Sequence, residues 1–163
     1  MKLEKIRIGR IVGVHGIRGE LKVQPRNVDP AFLGRFQTFY LDGKALVPSG
    51  FRVHKGLAML KFSGVEEREA AQALREKDLY ILREDVELPA GEYFDDELLG
   101  LDVYDAETGA CVGELVRVED YPASKVYTVR GVREYLIPAV KDAFILGIDM
   151  DENRMDVRIW EGL

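Results

Sequence analysis

A chain of 163 residues, 47% apolar and 32% charged, has material for one domain or two small ones and falls outside the composition of disordered proteins. Its single cysteine, Cys111, excludes an intramolecular disulfide framework and a cysteine-cluster zinc site. The formal net charge of −6 is unevenly spread: residues 1–88 carry 16 basic against 12 acidic side chains (+4), and residues 89–163 carry 7 against 17 (−10).

Strand signals open the chain. Ile6, Ile8, Val12 and Val14 recur with period two around Arg7 and Arg10, the pattern of a half-buried strand. Glu20 to Gln24 alternates in the same way, and Pro25 stops it. Phe36 to Leu41 is rich in aromatic and β-forming residues, and Asp42-Gly43 behind it is a hairpin-turn signal. Leu46-Val47, Phe51 to His54 and Leu57 to Phe62 give further short strands, punctuated by Gly50 and Gly56. Ser63-Gly64-Val65-Glu66 has the spacing of a capping box, and Glu66 to Glu76 is built from helix formers with Ala70, Ala71 and Leu74 on one side. One short helix is predicted there, and Leu79 to Leu82 returns to strand.

Arg83 to Gly91 is charged and ends in Pro89-Ala90-Gly91, which marks a linker where the charge balance inverts. The predicted organisation is a first domain over 1–84, a linker over 85–91 and a second domain over 92–163. Strands resume at Leu101 to Asp105, Cys111 to Glu119 and Val126 to Arg130, with Glu107-Thr108-Gly109 a turn and Tyr121-Pro122 a break. Tyr135 to Ile137, Phe144 to Ile148 and Met155 to Trp160 complete the set. Many short, closely spaced strands predict a mainly β protein of two small β-barrels, with one short helix in the first.

Met1 to Arg7 contains no apolar signal-peptide core, and the longest uncharged runs, Ile11 to Ile17 and Ala45 to Phe51, are far short of the ~20 residues that span a bilayer. A soluble, cytoplasmic protein is expected. Two Asn, three Gln and one Cys against 14 Arg also follow the thermophile tendency, so a thermostable protein is expected. Residues 1–61 hold 12 basic against 4 acidic side chains. Such a front can approach phosphates, whereas the acidic back suits a basic protein surface; two merely solvated surfaces are the alternative.

The densest glycine and charge cluster runs from Gly9 to Glu20, with Arg10, His15, Arg18 and, just beyond, Lys22 and Arg26. It has neither the Gly-Lys-Ser/Thr of a phosphate-binding P-loop nor a dinucleotide fingerprint. Two readings stand: a basic loop for phosphate contact, or a strand–loop–strand corner whose glycines serve only backbone geometry. His15 and His54, the two histidines, lack metal-ligand spacing, and Asp149 to Asn153 imitates a calcium loop but has Arg154 where the loop needs glycine. Glu92, Asp95, Asp96 and Glu97 read as a solvated acidic edge around Tyr93 and Phe94. Alternation puts one of that aromatic pair at the surface and the other in the core.

These residues resemble a known family. Gly9 to Val23 (GRIVGVHGIRGELKV) is similar to the N-terminal signature of the RimM family of ribosome maturation factors. The resemblance continues through Glu66 to Leu74, Gly91 to Gly100, Gly113 to Val116 and Leu136-Ile137-Pro138, in the family's order. It implies a bacterial protein with a RimM-type N-terminal barrel and a C-terminal PRC-barrel, a monomer with no cofactor and no catalytic residues. It further implies a non-enzymatic factor that binds the head of the immature small ribosomal subunit and contacts small-subunit protein nineteen. Such a factor promotes maturation and processing of small-subunit ribosomal RNA, with direct RNA contact an option. By resemblance Tyr93 and Phe94 take the subunit-binding role of the family's Tyr-Tyr pair, with replacement of both expected to spare the fold. Arg10, His15, Arg18, Lys22 and Arg26 are candidate RNA or ribosome contacts. The family's Thr-Gly-Ala-Asn loop reads Tyr121-Pro122-Ala123-Ser124 here. An RNA-processing enzyme is the rival reading, and the sequence offers no metal cluster or nucleophile–base spacing for it.

Overall fold

In the computed structural model, which describes residues 2–160, strand β1 (Lys5–His15) is the middle of a seven-stranded antiparallel sheet. Its partners are β2 (Glu20–Pro25), β3 (Phe39–Leu41), β4 (Lys44–Leu46), β5 (Pro48–His54), β6 (Leu57–Phe62) and β7 (Asp78–Leu82), in the order β4-β3-β7-β1-β2-β6-β5. This sheet belongs to a unit formed by Glu4–Glu87, and the residues from Leu88 on, with Lys2 and Leu3, form a second unit.

Two irregularities in β1 decide which side chains face inward. The pairing with β7 shifts between Arg7 and Gly9, and the pairing with β2 shifts between Ile11 and Gly13. Each bulge adds a residue and resets the alternation. Ile6, Ile8 and Ile11 are therefore all buried although Ile8 and Ile11 are three apart, and Val12, expected inside, is exposed. The interior is completed by an edge-to-face chain of rings: Phe32 to Phe36 at 5.4 Å, Phe36 to Phe39 at 5.9 Å and Phe39 to Phe62 at 5.7 Å.

Pro30–Arg35 is a 3₁₀ turn, started by Asp29, whose Oδ1 accepts from the Ala31 N–H at 2.9 Å, and by Pro30 at its first position. The strand expected from Phe36 begins only at Phe39 because Phe36 serves as the end of this turn. The single helix of the unit, α1 (Arg68–Gln72), is shorter than the predicted Glu66 to Glu76. The expected Ser63–Glu66 capping box is not formed. Gly64 takes a left-handed φ of 88°, the Ser63 N–H donates to Val47, Glu66 pairs with Lys61 at 3.1 Å, and Glu67 precedes the helix without a side-chain cap.

The second unit carries β8 (Asp102–Asp105), β9 (Cys111–Asp120), β10 (Lys125–Arg130), β11 (Glu134–Pro138), β12 (Ile145–Asp149) and β13 (Arg154–Val157) in the order β11-β10-β9-β8-β13-β12. Only β8 and β13 run parallel. A one-turn helix, α2 (Asp95–Leu98), precedes the sheet. Leu101, Val103, Leu115, Val129, Met155 and Val157 form its core. Asp149 to Asn153 is the polar β12–β13 turn: the Glu152 N–H donates to Asp149 Oδ1, Lys2 pairs with Asp151, and Asn153 Nδ2 donates to Gly100 at 2.9 Å. The protein is mainly β, 48% strand and 11% helical, in two barrel-like sheets. The last three residues of the expected second domain lie outside the described residues.

Candidate functional site

Residues directly opposite each other in an antiparallel ladder share a face. Opposite Arg10 stand Asp78 on one side and Gln24 on the other; His15 faces Glu20, and Lys22 faces Gly13 and Met59, which in turn faces Arg52. His54, two residues past Arg52, lies on the same side. The bulge at Arg7–Gly9 brings Arg7 onto this face with Arg10, which strict alternation would send to opposite sides. The outer face of β7-β1-β2-β6-β5 thus gathers Arg7, Arg10, Lys22 and Arg52 with both histidines.

Acids hold some of these cations. Arg7 meets Asp78 at 3.4 Å, Arg10 meets Glu76 at 3.8 Å, and Arg52 clasps Glu20 through Nε at 3.0 Å and Nη2 at 2.8 Å. The Arg52 bond and charge, with smaller contributions from His15 and His54, hold the Glu20 carboxyl below the usual carboxylate range. Among the described residues Lys22 and Arg18 make no ion pair. Arg18 sits in the β1–β2 loop, outside the sheet face, beside Ile17, which is 80% exposed. That loop is braced: Arg68 Nη1 donates to the Gly16 carbonyl at 2.8 Å, and at Gly19 a Cβ would lie 2.4 Å from the Val65 oxygen at a φ of +83°. Only glycine fits there. Of the sequence candidates, the structure unites Arg10, His15 and Lys22 on one face and sets Arg26 at its end, where Arg26 and Arg10 line one notch. It leaves Arg18 on the loop. Arg7, Arg52 and His54 were missed as site residues; Gly9 and Gly13 inside a strand pattern are the signal that could have located the bulges.

In the second unit Tyr93 is half-buried against the core, and Phe94 is 9% exposed. The expected split, one of the pair in the core and the other at the surface, is not what the structure shows: Tyr93 packs against the core cluster and Phe94 is buried. Phe94 stands at the start of α2, where its N–H donates to Glu97 Oε1 at 3.0 Å and its carbonyl accepts from the Glu97 N–H at 2.9 Å. The acidic edge is likewise less solvated than the sequence implied. Glu97 is 4% exposed, and Asp95 accepts from Lys125 Nζ at 2.8 and 2.7 Å. Burial, with the nearby Asp95 charge second, pushes the Tyr127 phenol up to about 12. Tyr121 is exposed at the β9–β10 turn, closed by its N–H donating to Ser124 at 3.2 Å. Cys111 is exposed at the start of β9. Among the described residues no group of three or more His, Cys, Asp or Glu is placed to hold a metal, and no helix is long and apolar enough to cross a membrane. The outer face of the first sheet presents the cations Arg7, Arg10, Lys22 and Arg52 beside their acidic partners.

Comparison with known proteins places two family models on the chain: the RimM N-terminal domain over residues 6–86 and the RimM PRC barrel domain over residues 95–163. A ribosome maturation factor RimM of Clostridium perfringens is 37% identical over 93% of this chain and 91% of its own length. That of Clostridioides difficile is 33% identical over 99% of this chain and 97% of its own. A crystal structure of a 16S ribosomal RNA processing protein RimM from Pseudomonas aeruginosa is similar with a TM-score of 0.48 and 30% identity, covering 97% of this chain and 98% of that one.

Proposed function

The chain belongs to the RimM family of ribosome maturation factors, and from that membership we propose that it is a non-enzymatic assembly factor of the small ribosomal subunit in the bacterial cytoplasm. It binds the head of the immature subunit as a monomer, contacts small-subunit protein nineteen, and promotes maturation and processing of small-subunit ribosomal RNA. The observation that carries this reading is the one-sided grouping of Arg7, Arg10, Lys22 and Arg52 on the front sheet, set against a second unit with a net charge of −10 over residues 89–163.

The front face meets ribosomal RNA phosphates, with Arg10, His15, Lys22 and Arg26 on or beside the sheet and Arg18 reaching from the braced loop. The acidic unit meets the basic protein through Tyr93, which is partly accessible and anchored against the unit's core, with Phe94 buried next to it in sequence. Assembly is favoured because the factor binds a native-like head more tightly than its precursors, and it shifts the population by no more than that difference in affinity.

Expressing the chain in a bacterium depleted of its own maturation factor tests the proposal. Restored levels of mature small-subunit RNA are expected; accumulation of precursor RNA unchanged from the depleted strain contradicts it. Incubation of the purified protein with precursor RNA and magnesium separates the enzymatic rival, since cleavage that tracks the protein overturns the non-enzymatic assignment.

A further inference from the structure

We propose that Arg68 is a positioning residue for subunit binding: it fixes the β1–β2 loop so that Arg18 meets small-subunit RNA already ordered, an assignment that rests on Arg18 being an RNA contact.

Left to itself, this loop would be loose. Residues 16–19 join the two strands beyond the His15–Glu20 pair, and both ends are glycines in the left-handed region, Gly16 at a φ of 70° and Gly19 at 83°. Glycine has more backbone freedom to lose than any other residue, so a loop hinged on two of them is costly to order. Its tip offers little packing in return. Ile17 is 80% exposed, and a Cβ on Gly16 would meet nothing within 4 Å.

Both ends are held by residues 65–68. The Val65 carbonyl oxygen lies so close to Gly19 that no side chain fits between them, which fixes the end of the loop. Arg68, at the start of α1, donates from Nη1 to the Gly16 carbonyl at 2.8 Å, which fixes its beginning. The holding segment is itself anchored. The Val65 N–H donates to the Phe62 carbonyl at 3.1 Å, Glu66 pairs with Lys61 at 3.1 Å, and Val65 and Ala71 are buried. Between the two fixed ends Arg18 is exposed and, among the described residues, makes no ion pair. The backbone beneath Arg18 is therefore held while its guanidinium stays open to a partner. The Arg68 bond is exposed, so its loss bears on the loop far more than on the fold.

Order present before binding removes an entropy cost that the complex would otherwise carry. One net hydrogen bond sets the scale, so Arg68→Ala should weaken binding to free small subunits about two- to tenfold. Fluorescence anisotropy of the labelled full chain titrated with purified small subunits, over a series of salt concentrations, reads this. The slope of log K against log salt should stay at its wild-type value in Arg68→Ala, whereas Arg18→Ala should flatten it by about 0.7, the loss of one phosphate contact. In an Arg18→Ala background the Arg68→Ala effect should vanish, because a loop with no contact to make need not be ordered. Arg68→Lys keeps a donor for the Gly16 carbonyl and should bind as wild type does. In the free protein, NMR order parameters at Ile17 and Arg18 should fall below about 0.6 in Arg68→Ala. Thermal melts separate these changes from unfolding.

Equal weakening by Arg68→Ala in both backgrounds, or a flattened slope, would make Arg68 a direct contact and overturn the positioning role. Wild-type affinity in folded Arg68→Ala, or unchanged order parameters, would overturn it while leaving Arg18 in contact. Binding unchanged by Arg18→Ala would defeat the reading beneath it. No binding of wild type to free small subunits would defeat the assembly-factor reading itself.

Discussion

Arg52 on β5 closes on Glu20 of β2 through two parallel hydrogen bonds, 3.0 Å from Nε and 2.8 Å from Nη2, reaching over β6 between them. Met59, which stands opposite both Lys22 and Arg52 in register, is buried. The bridge thus ties the edge strand to the sheet across a residue that would otherwise face water.

That bond makes acid stability testable. The Glu20 carboxyl titrates below its ordinary 4.5 in the folded protein, first through the Arg52 bond. A depressed folded-state value contributes stability that is present above 4.5 and is lost as pH falls through the lowered value. Urea unfolding of wild type should therefore show a declining acid limb that is shallower in Glu20→Gln. Arg52→Ala should lower the urea midpoint at neutral pH only slightly, because the pair is exposed and screened by solvent. Identical acid limbs in wild type and Glu20→Gln would remove the bridge from the account.

Tyr127 governs the opposite end of the pH scale. Its phenol is pushed up to about 12 from 10.0, chiefly by burial. A raised value stabilises fully below pH 10, and the contribution, on the order of 2 kcal/mol, disappears as pH climbs from 10 towards 12 while the unfolded chain ionises first. Tyr127→Phe should remove that alkaline decline and leave stability at pH 7 within about 1 kcal/mol of wild type. A decline of equal size in both proteins would show that another group controls it.

Thr128 is fully buried on β10, and among the described residues its Oγ1 has no hydrogen-bond partner. An unmet buried hydroxyl costs about 1–3 kcal/mol. Thr128→Val keeps the shape and removes the hydroxyl, so a higher melting midpoint is expected; a lower one would show that the hydroxyl is satisfied in solution.

Tyr93 and Phe94 should part company on replacement. Tyr93→Ala is expected to weaken small-subunit binding and to lower the melting midpoint less than Phe94→Ala does, since Tyr93 is only half-buried against the core. Phe94→Ala removes a buried ring at the start of α2 and should cost about 3 kcal/mol. Subunit binding unaffected by Tyr93→Ala, with the fold intact, would exclude its docking role.

The sequence made the strands of both sheets legible because their apolar residues alternate or cluster between turn residues. It did not reveal where alternation breaks. Val12 looked like a core residue and is exposed, because a bulge shifts the phase of β1; for the same reason Arg7 was passed over although it shares a face with Arg10. Capping misled in both directions. Ser63 and Glu66 have the right spacing but Gly64 turns the chain between them, while Phe94 and Glu97 exchange backbone and carboxylate bonds without the serine or threonine that announces such a box. The burial of Asp95 depends on Lys125, a partner 30 residues away that no local pattern shows.

Co-sedimentation of the purified protein with free small subunits, free large subunits and assembled ribosomes tests the assembly-factor assignment most directly. The account predicts selective pelleting with free small subunits, weakened by charge reversal at Arg18 and Lys22 together with a flatter salt dependence. Pelleting with none of the three, or equally with all of them, would contradict it.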